Sequence, residues 1–255
     1  MKMIFDHKKN YSMKNISIVL LLLITHATHA QQIFITAGKI EYEKKVNIHK
    51  QIEGSSWLEN LKDKIPQFQT TYYNLYFKDD KTLFEKGREV NEKIPFFGDD
   101  GSIDDIVFTD LQTQHFYKKQ QVFEKKFLLS DSIRSVKWKI TNDTRDIAGF
   151  ECRKAVGIIL DSVYVVAFYT DQIPVEGGPM SFCNLPGMIL GLAIPRMNTT
   201  YFATKLELLE PKPEKLAAPE GKMKKTDYKN LQVTLQKAIS DWGEWGRKYI
   251  INSLL

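Results

Sequence analysis

Catalytic signatures of the familiar kinds are missing from this 255-residue chain: there is no HExxH, no GxSxG, no Walker loop, no CxxC and no GxGxxG after a strand pattern. Zinc proteases, nucleophile-elbow hydrolases, P-loop enzymes, thioredoxin-like redox proteins and dinucleotide-binding enzymes therefore have no motif to rest on. Histidine is scarce as well. Of five, three fall in the first 30 residues, which leaves His49 and His115 as the candidate general bases. One stands at a strand end and the other inside a strand pattern, so ordinary half-buried positions are the plainer reading.

Long apolar runs are also lacking beyond residue 30, where no stretch reaches the ~18 residues of a membrane helix. Ile16–Ile24 (ISIVLLLLI) is apolar but for Ser17, with Lys14 before it and Thr28 and Ala30 at the spacing of a cleavage site. Residues 1–30 therefore read as a secretory signal peptide. Met13-Lys14 suits the basic start of such a leader better than Met1, which leaves residues 1–12 open as upstream of the start codon in use. No cysteine follows the cleavage site, so a lipid anchor is not expected. The implied location is exported, in the periplasm or cell envelope, with no transmembrane segment after cleavage.

An excess of one charge is absent too. The leader holds four lysines and one aspartate, so the remainder has 32 basic and 30 acidic side chains and a net charge of +2. That gives no field for phosphate, and nucleic acid is excluded as a partner.

What the chain does have is apolar and aromatic content, 43% and 12%, enough for a real core. Period-two alternation recurs along it. Residues 38–50 read as a first strand and 52–64, with Trp57, Leu58 and Leu61 at helical spacing before Pro66, as a short helix. A hairpin follows over 68–77 and 82–86, joined by Asp79-Asp80-Lys81. Three short strands over DIVFTD, QHFYKKQQVF and KKFLLSD come next, then one over 135–141. A second hairpin covers 151–160 and 163–170, and strands at MILGLAI and 199–210 complete the set.

Strands at short spacing without helical crossovers imply a mainly β, α+β fold: an antiparallel sheet, drawn here as a curved half-barrel, with one short N-terminal helix and a C-terminal amphipathic helix. The domain reading is 31–210 for the sheet, 211–224 for a Pro- and Lys-rich linker and 225–255 for the helix. That helix, carrying Leu231, Leu235, Ile239, Trp242, Trp245 and Tyr249, is expected to dock on its own sheet.

Gly, Pro, Cys and apolar residues crowd together in 173–195, IPVEGGPMSFCNLPGMILGLAIP. Pro174 and Pro179 fix φ, Gly177-Gly178 admit positive φ, and Pro186-Gly187 has the order of a type II turn. Leu185, Met188, Ile189, Leu190 and Leu192 then form an apolar run suited to a strand covered on both faces or lining a cavity. Cys152 and Cys183, the two cysteines, read first as a disulfide closing a loop of about 32 residues, worth about 3–4 kcal/mol. Two buried thiols are the second reading, and soft-metal thiolates beside Met180 and Met188 the third. Asp99, Asp100, Asp104 and Asp105 around Gly101 lack calcium-loop spacing and read as a solvated turn.

At Asn184-Leu185-Pro186-Gly187-Met188-Ile189 the chain resembles the GLPGLI family of exported bacterial proteins, and 38–50, 138–155, 168–174 and 177–190 follow that pattern in order. Asn184 replaces the first Gly of the motif and Met188 its second Leu; Asn tolerates positive φ well, and Met nearly keeps the volume. The resemblance implies no catalytic residues and no cofactor.

The resulting expectation is a non-enzymatic envelope protein that binds an apolar ligand or a partner protein, with Asn184, Leu185, Pro186, Gly187, Met188 and Ile189 as its surface. The alternatives are copper-type metal handling by Cys and Met, and a hydrolase using Cys183 or a carboxylate with His49 or His115 as base.

Overall fold

The computed structural model describes residues 34–54, 59–60, 62–90 and 105–255. The chain divides into Met1–Ile33 and Phe34–Leu255, and every described residue belongs to the second unit. The predicted signal peptide therefore lies outside the described residues. So do Trp57, Leu58 and Leu61 of the predicted first helix, and Asp99, Asp100 and Asp104.

Twelve strands form one sheet: β1 (Gly38–Asn47), β2 (Phe68–Lys78), β3 (Lys81–Lys86), β4 (Ile106–Asp110), β5 (His115–Val122), β6 (Lys125–Ser132), β7 (Lys139–Ile147), β8 (Phe150–Ile159), β9 (Val163–Thr170), β10 (Met188–Ile194), β11 (Thr199–Glu207) and β12 (Lys224–Thr226). Their spatial order is β12-β6-β5-β4-β3-β2-β1-β11-β10-β9-β8-β7, antiparallel throughout except where β12 runs parallel to β6. The fold is thus mainly β, an open and mostly antiparallel sheet. Among the described residues three α-helices accompany it, α1 (Ile48–Gln51), α2 (Tyr228–Ala238) and α3 (Gly243–Leu254).

Alternation places one side chain of every pair on the core face. From β1 come Ile40 and Tyr42, from β2 Tyr73, Leu75 and Phe77, from β3 Phe84, and from β9 Val163, Val165 and Ala167, all within one buried cluster. Tight turns fix the register. Asp79 and Asp80 take φ of 49° and 56° between β2 and β3, as a type I′ hairpin requires, and Ala148 and Gly149 do the same at 52° and 86° between β7 and β8.

Four elements differ from the sequence reading. The first strand stops at Asn47, whose side chain accepts the Lys50 N–H (3.1 Å) and starts α1. The strand predicted at 135–141 begins at Lys139 and continues to Ile147; β7 is the sheet edge, so its polar residues face solvent on both sides and show no alternation. The C-terminal helix is two: Ile239, a 3-10 turn at Ser240–Trp242 and Gly243 at φ 54° separate α2 from α3. Asp105 is no solvated turn residue, since it is buried against Lys118 (3.2 Å) with side-chain exposures of 8% and 3%.

The C-terminal segment docks on the sheet. Leu231 and Leu235 of α2, with Leu254 and Leu255, join the main core, and Asp131 at the end of β6 accepts the Tyr228 N–H (3.1 Å). Residues between β11 and β12 cover part of the outer face, where Leu216 packs on Leu83 and Phe108 and Lys215 pairs with Glu85.

Candidate functional site

The loop from Asp171 to Gly187 folds down onto the core face, and its glycines permit the approach. A Cβ on Gly177 would lie 2.7 Å from the Thr82 methyl, and one on Gly178 2.7 Å from Ile189 Cβ. Gly187 holds φ +129°, and a Cβ there would fall 2.0 Å from the Thr170 carbonyl oxygen. Backbone bonds tie the loop at several points: Met188 N–H to Ile173 C=O (2.9 Å), Ile189 N–H to Gly177 C=O (2.8 Å) and Asn184 N–H to Glu176 C=O (3.2 Å). The expected type II turn is a tighter one, closed by Gly187 N–H donating to Leu185 C=O (2.7 Å).

Of the six motif residues, Leu185, Met188 and Ile189 are wholly buried, Gly187 is buried, and only Asn184 and Pro186 reach solvent. Asn184 has φ 65°, the conformation its side chain tolerates best after glycine. The Tyr42 hydroxyl, fully buried, donates to Ile189 C=O (2.6 Å) and locks the start of β10 to β1. Burial raises its pKa well above the ordinary tyrosine value.

Cys152 and Cys183 are free and buried, so the predicted disulfide does not form. Burial pushes both thiols up to about 12, with Asp146 adding to the effect at Cys152 and Glu176 at Cys183. Thiols held protonated are neither nucleophiles nor soft-metal ligands at neutral pH. Cys183 is therefore not poised as a nucleophile. Among the described residues no group of His, Cys, Asp and Glu could hold a metal ion.

Neither histidine faces a carboxylate or a thiol across a hydrogen bond. His49 Nε2 contacts Ile65 C=O (3.1 Å), and His115 Nε2 meets Ser130 Oγ (2.9 Å) with its ring 5.0 Å from Tyr117. Both serve local structure.

A cleft that the sequence did not reveal lies between the β5–β6 turn and α2. It encloses about 310 Å³ and is walled by Val122, Phe127, Leu235 and Ala238, with Phe123, Glu124, Lys125 and Thr234 around them. Phe123 occupies the turn at φ 55° and stacks on Tyr249 of α3 (centroids 5.3 Å, planes 12° apart). Trp242 meets both rings edge-on, at 5.8 Å from Phe123 and 6.1 Å from Tyr249. Phe123 and Trp242 remain 45% and 49% exposed. Their positions, 123, 242 and 249, are too far apart in sequence for any local pattern to join them.

The architecture is that of an open, twelve-stranded, mainly antiparallel sheet domain with its C-terminal helices on the core face. Residues 56–232 match the family described as "N-glycanase peptide, N-terminal domain", and the chain belongs to that family. Two solved structures of PNGF-II share the fold. The P21 form has TM-score 0.51 and 16% identity, covering 76% of this chain and 32% of that one. The C2 form has TM-score 0.50 and 16% identity, covering 80% and 33%. This chain thus spans about a third of the length of those relatives. No curated protein matches it.

These findings correct two expectations. The matched family is not the GLPGLI family, and residues 184–189 are a glycine-dependent turn and strand start inside the N-glycanase-type domain. The expected non-enzymatic envelope module is likewise overturned by the match to an N-glycanase domain; a hydrolase, the alternative drawn from the sequence, agrees with it better. Among the described residues no helix is long and apolar enough to cross a membrane.

Proposed function

We propose that this chain acts in the hydrolytic removal of N-linked glycans from glycoproteins, which makes its substrate class a glycosylated polypeptide. Membership in the N-glycanase N-terminal domain family over residues 56–232 carries this reading. The signal-like leader supports export, which would bring the protein to glycoproteins outside the cytoplasm.

The finer architecture belongs to the same proposal. The sheet is a curved half-barrel whose core face is covered by the 171–187 loop and by α2 and α3; a twelve-stranded open sheet favours such curling. Residues 31–210 make the sheet domain, 211–224 its connector and 225–255 its helical cover. Asn184 and Pro186 are the motif positions open to a ligand or partner.

The test is to incubate the full exported chain with an N-glycosylated protein and follow its electrophoretic mobility. Release of the glycan lowers the apparent mass. An unchanged substrate at equimolar protein would count against the proposal.

A further inference from the structure

We infer that the cleft between the β5–β6 turn and α2 is a carbohydrate subsite, taking one neutral N-acetylated sugar ring of a glycan against Phe123, which Trp242 braces from outside the cleft; this rests on the N-glycan reading above. Three features of the cleft select that occupant.

The first is the aromatic surface. A pyranose ring presents an apolar face of C–H groups that packs on aromatic rings, while its edge carries hydroxyls. Phe123 lines the cleft and Trp242 meets it edge to face at 5.8 Å, and both large apolar side chains are left about half exposed. Tyr249 stacks behind Phe123, so that ring is held before any ligand arrives. Phe123 also sits in the left-handed region at φ 55°, where a bulky residue is an outlier. Such strain persists only where the surroundings enforce it, and it gathers at binding sites.

The second is charge. Glu124 and Lys125 are neighbours on the cleft wall and exposed, one an acceptor and the other a donor. Their charges cancel. The wall therefore complements a neutral ligand bearing hydroxyls that both give and take hydrogen bonds, and it offers no net field to a fatty-acid carboxylate or a phosphate.

The third is size. A cavity of about 310 Å³ stands at the small end of ligand sites, sufficient for one ring with its acetamido group and too short for a long acyl chain. Val122, Phe127, Leu235 and Ala238 supply the apolar wall against which the acetamido methyl would rest.

The experiment titrates the full chain with chitobiose, the N-acetylated disaccharide at the root of an N-linked glycan, by calorimetry, and repeats it with palmitate. Trp242→Ala removes the ring that braces Phe123, and Ala238→Phe fills the cleft from an exposed helix position, so one variant guards against the misfolding of the other. Wild type is expected to bind chitobiose and not palmitate, with both variants weaker by about tenfold or more. Equal chitobiose affinity in wild type and both variants overturns the subsite and leaves the N-glycan reading standing. Palmitate binding without sugar binding, or a concentration-dependent dimer abolished by Ala238→Phe, gives the cleft to another occupant and overturns the inference. Absence of chitobiose binding together with absence of glycan release removes both readings.

Discussion

Gly187→Ala should be among the most damaging single substitutions in this domain, although it adds only a methyl group. At φ +129° the backbone lies where an L side chain is strained, at a cost of about 1–3 kcal/mol. The new Cβ would then meet the Thr170 carbonyl oxygen at 2.0 Å, so backbone and not a flexible side chain must move. Thr170 ends β9, which pairs with β10, and displacing packed core costs about a further 1–3 kcal/mol.

The sum, about 2–6 kcal/mol, is a large share of a total stability of about 5–15 kcal/mol. At about 2–4 °C per kcal/mol for a domain of this size, Tm should fall by about 5–20 °C. Urea unfolding followed by tryptophan fluorescence and by circular dichroism measures it. Asn184→Ala is the comparison: the side chain is exposed at φ 65°, so about 1 kcal/mol is expected, and Asn184→Gly should cost little. If Gly187→Ala costs no more than Asn184→Ala, the turn is not the constraint described here.

Three further outcomes follow from buried polar groups. Tyr42→Phe removes the donor to Ile189 C=O in a water-free position and should cost about 1–3 kcal/mol by urea unfolding, with no change in the circular dichroism of the native state. Lys118→Met leaves Asp105 buried beside an apolar side chain and should cost about 3–5 kcal/mol, while the double replacement Lys118→Met with Asp105→Leu should recover most of it in the same assay. The thiols of Cys152 and Cys183 should resist iodoacetamide in the folded protein at about pH 8 and react once it unfolds. Because their folded values of about 12 lie above the ordinary 9.0, the unfolded chain loses these protons first as pH rises. The thiols' contribution to stability is therefore flat below pH 9 and then falls by about 1.4 kcal/mol per pH unit per thiol until about pH 12, measurable by urea unfolding of wild type against Cys→Ser variants across the alkaline range.

Much of the sheet was legible because a half-buried strand writes its geometry into the chain. β2 and β9 alternate cleanly, and Asp79-Asp80 announced its turn. β7 was misplaced for the opposite reason: an edge strand with solvent on both faces has no alternation to read. β12, three residues long and pairing parallel with β6, carries no local signal at all. The break in the C-terminal helix depends on Gly243, which weakens a helix in any sequence but ends one only where packing demands it.

The site was less legible than the fold. The crowding of Gly and Pro at 173–195 did mark a structured loop, yet that density serves close packing: the glycines let the chain approach Thr82, Ile189 and Thr170. Cys152 and Cys183 looked like a pair because exported chains commonly oxidise theirs, but sequence carries no distance between them. The aromatic cleft stayed hidden because Phe123 lies in a turn with no Gly or Asn to mark its positive φ, while Trp242 reads as one more apolar position of a helix.

The central claim is that the chain takes part in N-glycan hydrolysis, and intact-mass spectrometry of an N-glycosylated peptide incubated with the full chain tests it most directly. The expected result is loss of the whole glycan in one step with the peptide chain uncut. A peptide whose glycan stays attached throughout, at equimolar protein and with the chain shown to be folded, would contradict it.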